Sequence, residues 1–262
     1  MELEVAGVPI FAATGGKPFE SALPLVVFVH GAGMDHTVWA LQTRYFAHHG
    51  KSVLALDLPG HGRSGGSPLP SIEAMADWLG AFVAATGAGR AALVGHSMGA
   101  LASLEAAARH PDKISALALF GAALAMPVHP DLIAAAQADD AHAFELITAW
   151  GYGKPAHLGL SPTPGLWMLG GGRRLLARAR PGALAVDLKA CDAYRGAAAA
   201  AARVQSKTLV LVGTEDRMTP AKGGKALASA IAHARAAELP GAGHMMMVER
   251  PDATLAALKA FL

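Results

Sequence analysis

Hydrophobic residues recur along this chain with two periods. Leu25–His30 (LVVFVH) is a near-continuous apolar run, as a strand buried on both faces requires. Val53–Leu56, Ala91–Val94, Ile114–Phe120, Thr208–Val212 and Ala234–Leu239 read as further strands. Between them the spacing turns helical. Ile72, Met75, Ala76, Leu79, Phe82 and Val83 predict a helix over Ile72–Ala85, ended by Gly87 and Gly89. Met98–Arg109, stopped before Pro111, Ala221–Ile231 and Pro251–Leu262 predict three more. Glu2–Ala6 and Ile10–Ala13 read as short strands around a Gly7-Val8-Pro9 turn. Alternation of this kind predicts an α/β fold: a mostly parallel, doubly wound sheet with helices on both faces.

The pattern breaks between Ala125 and Arg203, where no buried strand is visible. Asp139–Trp150 and Val186–Ala202 read as helices, the second carrying an alanine run of high helix propensity, and Ser161–Gly172 as a loop rich in Pro and Gly. The expected organisation is one core, residues 1–124 and 204–262, interrupted between consecutive strands by a helical insertion, 125–203.

Length and composition narrow the classes. The 262 residues suffice to bury a sizeable core. Hydrophobic residues make up 53%, inflated by 59 alanines, and charged residues only 16%, which excludes a disordered chain. A net charge of +2 gives no basic surface for tracking phosphates, so a nucleic-acid partner is not expected. The longest run without polar side chains, Ala116–Val128, is 13 residues, shorter than the roughly 18 that suggest a membrane span. Met1–Glu4 shows no apolar signal segment, and Cys191, the one cysteine, forms no intrachain disulfide. A cytoplasmic protein acting on a small molecule, without membrane, metal or cofactor, is the expectation; the sequence leaves the oligomeric state open.

Gly95-His96-Ser97-Met98-Gly99 follows a strand and opens a helix. That is G-x-S-x-G in the context where a sharp turn lifts a serine hydroxyl to the end of the sheet, and the turn needs small flanking residues. A serine nucleophile needs a base, and the base needs an orienting acid. Of the 12 histidines, His244 lies in the turn Pro240–His244 after the last strand. Asp216 lies just past Thr208–Val212. Both are at carboxyl ends of strands, where open α/β sheets place their sites. The order Ser97, Asp216, His244 is the one this turn type uses. The Gly-rich His30-Gly31-Ala32-Gly33 follows another strand, and the amides of Ala32 and Met98 are the natural pair of donors for a developing oxyanion.

On HGAG (30–33), DLPGHGRSGG (57–66), GHSMGA (95–100), LVGTEDRMTP (211–220) and PGAGHMMMVERPD (240–252), the chain resembles the α/β-hydrolases with a helical cap. The resemblance implies a cap for 125–203, the oxyanion role for Ala32 and Met98, and scaffold roles for Trp39, Asp57 and His61. It implies a serine hydrolase that cleaves carboxylic ester or related acyl bonds of small, mainly apolar substrates. Acyl transfer to another acceptor, perhydrolysis, C–C bond cleavage and slow-turnover ligand reception are the alternatives. Ser97 sets the chain apart from relatives with an aspartate nucleophile. Met245-Met246-Met247 stands where C–C hydrolases carry Trp, and Ala32 where the related peroxidases carry an aromatic residue.

Four features are weighed against function. Gly60–Gly65 matches G-x-G-x-x-G, but Gly66–Pro70 cannot open the helix a dinucleotide site requires. Arg173, Arg174, Arg178 and Arg180 read as a solvated helix face rather than an anion site. Phe144, Trp150, Trp167 and Met168 read as a group, pocket roof or local core, and Cys191 as a small buried hydrophobe.

Overall fold

The computed structural model describes residues 1–160, 162 and 165–262. Eight strands form one sheet in the order β1-β2-β4-β3-β5-β6-β7-β8. They are β1 (Glu2–Val5), β2 (Val8–Ala13), β3 (Leu25–Val29), β4 (Ser52–Leu56), β5 (Ala91–His96), β6 (Ile114–Phe120), β7 (Lys207–Gly213) and β8 (Ala234–Leu239). β1 and β2 are antiparallel to their neighbours; the pairs from β4 to β8 are parallel.

The helices in chain order are α1 (Ala40–Ala47), α2 (Ile72–Ala85), α3 (Met98–Arg109), α4 (Pro130–Gln137), α5 (His142–Gly151), α6 (Lys154–His157), α7 (Met168–Leu176), α8 (Ala183–Ala193), α9 (Ala197–Arg203), α10 (Ala221–Ser229), α11 (Met246–Glu249) and α12 (Pro251–Lys259). The alternation of each strand divides the core in two. Leu25, Val27 and Val29 of β3 pack with α2 and α3, whereas Val26 and Phe28 pack with Phe46 of α1 and Leu258 of α12. Leu93 and Val94 of β5 separate in the same way. This is why the central strands are apolar at every position: each face meets a helical layer. Ser71 caps α2, its hydroxyl accepting the N–H of Ala74 at 3.1 Å.

The segment 125–203 does lie between consecutive strands β6 and β7, and it is helical. It does not pack as one body. Leu132, Ile147, Leu176, Leu184 and Leu188 form a cluster of their own, while Ala197, Ala200 and Ala201 of α9 join the main core against α3. The expected helix Val186–Ala202 is two helices, broken at Tyr194–Gly196, where the chain leaves the insertion for the core. Within the expected loop Ser161–Gly172, α7 begins at Met168; Ser161, Thr163 and Pro164 lie outside the described residues. The short α4, α6 and α11 had no sequence reading. Among the described residues no helix is long and apolar enough to cross a membrane.

Candidate active site

Ser97 joins β5 to α3 with φ +53° and ψ −118°, a strained conformation that a non-glycine residue adopts at a cost of about 1–3 kcal/mol. Its N–H donates to the carbonyl of Phe120 at 2.8 Å, which fixes the turn. The flanking glycines are required by space. A Cβ on Gly95 would lie 2.3 Å from the carbonyl oxygen of Gly99, and one on Gly99 would lie 2.4 Å from that of His30.

The loop after β7 carries Asp216, and the loop after β8 carries His244; both side chains are buried. His244 Nδ1 lies 2.8 Å from Asp216 Oδ2. Asp216 also accepts the Thr219 hydroxyl at 2.7 Å on Oδ2, and the Met218 and Thr219 amides at 2.9 and 2.8 Å on Oδ1. Burial would raise the pKa of Asp216, but the charge of His244 and these hydrogen bonds outweigh it and hold the carboxyl below its ordinary value. Ionised Asp216 accepts at Oδ2, so Nδ1 carries the proton and Nε2 is the basic nitrogen. Nε2 has no hydrogen-bond partner among the described residues. His244 and Ser97 line the same cavity of about 340 Å³.

His96 holds the histidine loop from below. Its ring lies 4.7 Å from that of His244, and its Nε2–H donates to the His244 carbonyl at 3.0 Å. Burial first, and then the charge of His244, lowers its pKa well below the ordinary value, so His96 stays neutral. Buried Glu249 accepts the amides of Gly153 at 2.8 Å and Met245 at 3.1 Å.

The Gly31–Ala32 peptide is fixed from its carbonyl end. Gly31 O accepts the N–H of Met34 at 3.2 Å and lies 2.8 Å from His30 Nδ1. A trans peptide directs its N–H opposite its carbonyl, so Ala32 N–H points away from both. Ala32 lines the cavity, and its N–H has no acceptor among the described residues. Met98 is the first residue of α3, ahead of the intrahelical ladder, so its N–H has no partner within the helix. Its side chain is fully buried and does not line the cavity. His30 Nε2 accepts the N–H of Leu58 at 3.1 Å, and burial lowers its pKa to about 4.

The insertion contributes to the lining. Met126, Leu132, Ile147, Trp150, Leu188 and Cys191 border the cavity that Ser97 borders. Of the four aromatic and methionine residues read as a group, only Trp150 reaches it; Trp167 is 76% exposed and Met168 is packed in the core. Met245 lines it, while Met246 and Met247 are core residues. None of Arg173, Arg174, Arg178 and Arg180 does. Arg173 pairs with Glu145 at 3.0 Å, and Arg180 donates to the Ser64 carbonyl. Arg217, exposed beside Asp216, does reach the cavity. Cys191 is buried as expected but also borders the cavity, and burial pushes its thiol pKa up.

One cluster among the described residues, Asp35, His36 and Asp57, has the ligand spacing of a metal site. Its atoms are engaged already: Asp57 accepts His36 N and Nδ1 and Arg63 N, each at 2.8 Å, and Asp35 caps Thr37. Asp57 thus ties the His36 and Arg63 loops together. Thr219, His96 and Glu249 had no sequence reading. Only Thr219 leaves a trace, as a hydroxyl three residues after Asp216.

A mostly parallel sheet wound on both sides, with a serine on a strained strand-to-helix turn at its centre, defines an enzyme built on the α/β-hydrolase architecture. The chain belongs to the alpha/beta hydrolase family, whose sequence profile matches residues 26–258, and it is a hydrolase. It is similar to a Klebsiella pneumoniae protein that bears the provisional name carbamate hydrolase RutD, with 31% identity over 246 residues and 87% of each chain covered. A pimeloyl-[acyl-carrier protein] methyl ester esterase from Chromobacterium violaceum is 41% identical over 101 residues, 37% of this chain and 36% of that protein. Among solved structures, the enol-lactonase from Burkholderia xenovorans LB400 superposes with a TM-score of 0.88 at 26% identity, covering 100% of this chain and 99% of that one.

Proposed function

We propose that the chain is a serine esterase that cleaves carboxylic ester or related acyl bonds of small, mainly apolar substrates. The reading rests on one observation above all. His244 is oriented by Asp216 through Nδ1, leaves Nε2 unpartnered, and shares its cavity with the strained Ser97. Ser97 Oγ attacks the acyl carbon as His244 Nε2 takes its proton. The amides of Ala32 and Met98 stabilise the oxyanion. His244 returns the proton to the leaving alcohol, and water attacks the acyl-enzyme by the same route in reverse. Asp216 holds the productive tautomer and supports the imidazolium. Residues 125–203 act as the cap that shapes the acyl pocket.

The apolar cavity wall favours a neutral acyl group. A carboxylate sunk against Leu132, Ile147 and Leu188 would lack a partner and cost several kcal/mol. Similarity to relatives named for ester, lactone and carbamate substrates supports acyl hydrolysis rather than C–C cleavage. Steady-state turnover of p-nitrophenyl esters, with Ser97→Ala as the control, tests the reading. Absence of turnover by the wild-type chain across acetyl to octanoyl esters overturns it.

A further inference from the structure

Asp187 is fully buried on α8, in the insertion, yet both groups bonded to it belong to the core, Gly33 in the loop after β3 and His61; its Oδ1 has no partner among the described residues. Its Oδ2 accepts the N–H of Gly33 at 2.8 Å, across 154 residues of sequence. The same oxygen lies 2.9 Å from His61 Nε2, and His61 Nδ1 lies 3.0 Å from the carbonyl of Pro59. Both ring nitrogens of His61 thus face acceptors, an arrangement that suits the imidazolium. The His61 ring in turn packs 4.9 Å from that of His30, the first residue of the loop.

These contacts bear on two adjacent peptide planes. The Gly31–Ala32 plane is held from its carbonyl side by Met34 N–H and His30 Nδ1. The next plane, Ala32–Gly33, has its N–H end bonded to Asp187. Gly33 has φ +65°, a conformation glycine leaves easily, so its backbone does not hold the plane by itself. With Asp187 bonded, the Gly33 amide is engaged away from the reacting oxygen and the Ala32 amide is left for it.

We propose that Asp187 is a positioning residue for the oxyanion loop: from the insertion, it locks the Ala32–Gly33 peptide so that Ala32 N–H stays aimed at the carbonyl oxygen of an ester bound at Ser97. The inference rests on the serine-esterase reading above. It makes the insertion part of the catalytic apparatus, because the hole is held in shape only when α8 is seated.

The test uses the full chain with Asp187→Ala and Asp187→Asn, assayed well below each melting temperature. Three quantities are compared: kcat and KM on a p-nitrophenyl ester, Ki for an alkyl trifluoromethyl ketone, and Ki for the matching methyl ketone. The first ketone adds to Ser97 and forms an oxyanion; the second binds mainly as the neutral ketone. Asp187→Ala is expected to lower kcat 10- to 100-fold with KM within threefold. It should raise the trifluoromethyl ketone Ki by a like factor and leave the methyl ketone Ki unchanged. Asp187→Asn keeps an oxygen for Gly33 and is expected within threefold of wild type on all three. If Asp187→Ala does not fold, the double variant His61→Leu/Asp187→Leu replaces the buried pair with apolar groups and should show the same selective loss. Equal weakening of both ketones, unchanged kcat in the alanine or double leucine variant, or a folded Asp187→Asn as impaired as alanine overturns the proposal. Failure of the wild type to hydrolyse the ester and to bind the trifluoromethyl ketone would instead strike the esterase reading itself.

Discussion

The carbonyl of Gly151 accepts the N–H of His244 at 2.8 Å and that of Met245 at 3.2 Å, so the last residue of α5 is bonded to the backbone carrying the proposed base. Gly153 continues the tie through Glu249, and Lys154 N–H donates to Glu215 at 2.6 Å. The insertion is therefore stitched to the histidine loop by α5 and to the His30–Gly33 loop by α8.

Ser97→Ala and His244→Ala are expected to lower kcat by several orders of magnitude, and Asp216→Asn by somewhat less, because members of such a unit are not additive. Circular dichroism melts should show all three folded. Near-normal turnover by Ser97→Ala contradicts the assignment.

Thr219→Val removes the hydroxyl that donates to Asp216 Oδ2 at 2.7 Å while keeping the side-chain shape. A hydrogen bond to a charged group contributes roughly 1.5–3 kcal/mol, and part of this one supports the Asp216–His244 pair. A fall in kcat/KM of roughly 3- to 30-fold is expected, with KM little changed. A variant within experimental error of wild type assigns the hydroxyl to packing alone.

Acid should destabilise the fold before the carboxylates protonate. The folded pKa of His30 lies at about 4, below the usual 6.5 of an exposed histidine, because burial opposes its charge. Its contribution is complete above pH 6.5 and is lost as pH falls toward 4. By linkage this amounts to about 2 kcal/mol at pH 5, and buried His96 acts in the same direction. His61 works oppositely. Burial would lower its pKa, but Asp187 outweighs that and raises it, so its contribution is lost as pH rises past 6.5. Urea midpoints at pH 5, 6.5 and 8 should peak at the middle value; a midpoint unchanged from 6.5 to 5 contradicts the histidine account.

A matched pair of aryl esters, one ending in a carboxylate, tests the cavity's character. The neutral ester is expected to have the higher kcat/KM. Arg217 is exposed, and a solvated ion pair there is worth under about 1 kcal/mol. Arg217→Ala should therefore lower only the carboxylate ester's rate, by no more than about fivefold. A carboxylate ester preferred tenfold by the wild type contradicts the neutral-acyl reading.

The sequence revealed what is local. β3 and β5 show as apolar runs because both of their faces are covered, and the turn around Ser97 shows because its strain demands Gly95 and Gly99. The positions of Asp216, His244, Ala32 and Met98 at the carboxyl ends of strands were legible, because each follows an apolar run directly. Pairings across long sequence separations were silent. Nothing near Asp187 announces Gly33, and nothing near Gly151 announces His244. The break at Tyr194–Gly196 was hidden because the alanines of α9 favour a helix wherever they sit. What ends α8 is tertiary: the Tyr194 hydroxyl bonded to buried Glu105 of α3.

The alanine-rich α9 sets where this chain can be cut and rejoined. Ala197, Ala200 and Ala201 lie against α3 with no side chain beyond a methyl group, so the two helices approach closely. Chimaeras that exchange the whole of 125–203 with a relative would import a foreign surface into that seam, and bulkier residues there would wedge α3 away from β5 and tilt the Ser97 turn. Splice points after Ala125 and just before Tyr194 leave the seam native. A donor segment grafted there must still bring an acceptor for Gly33 N–H and a carbonyl for His244 N–H, a two-point requirement by which donor loops can be screened before any are made.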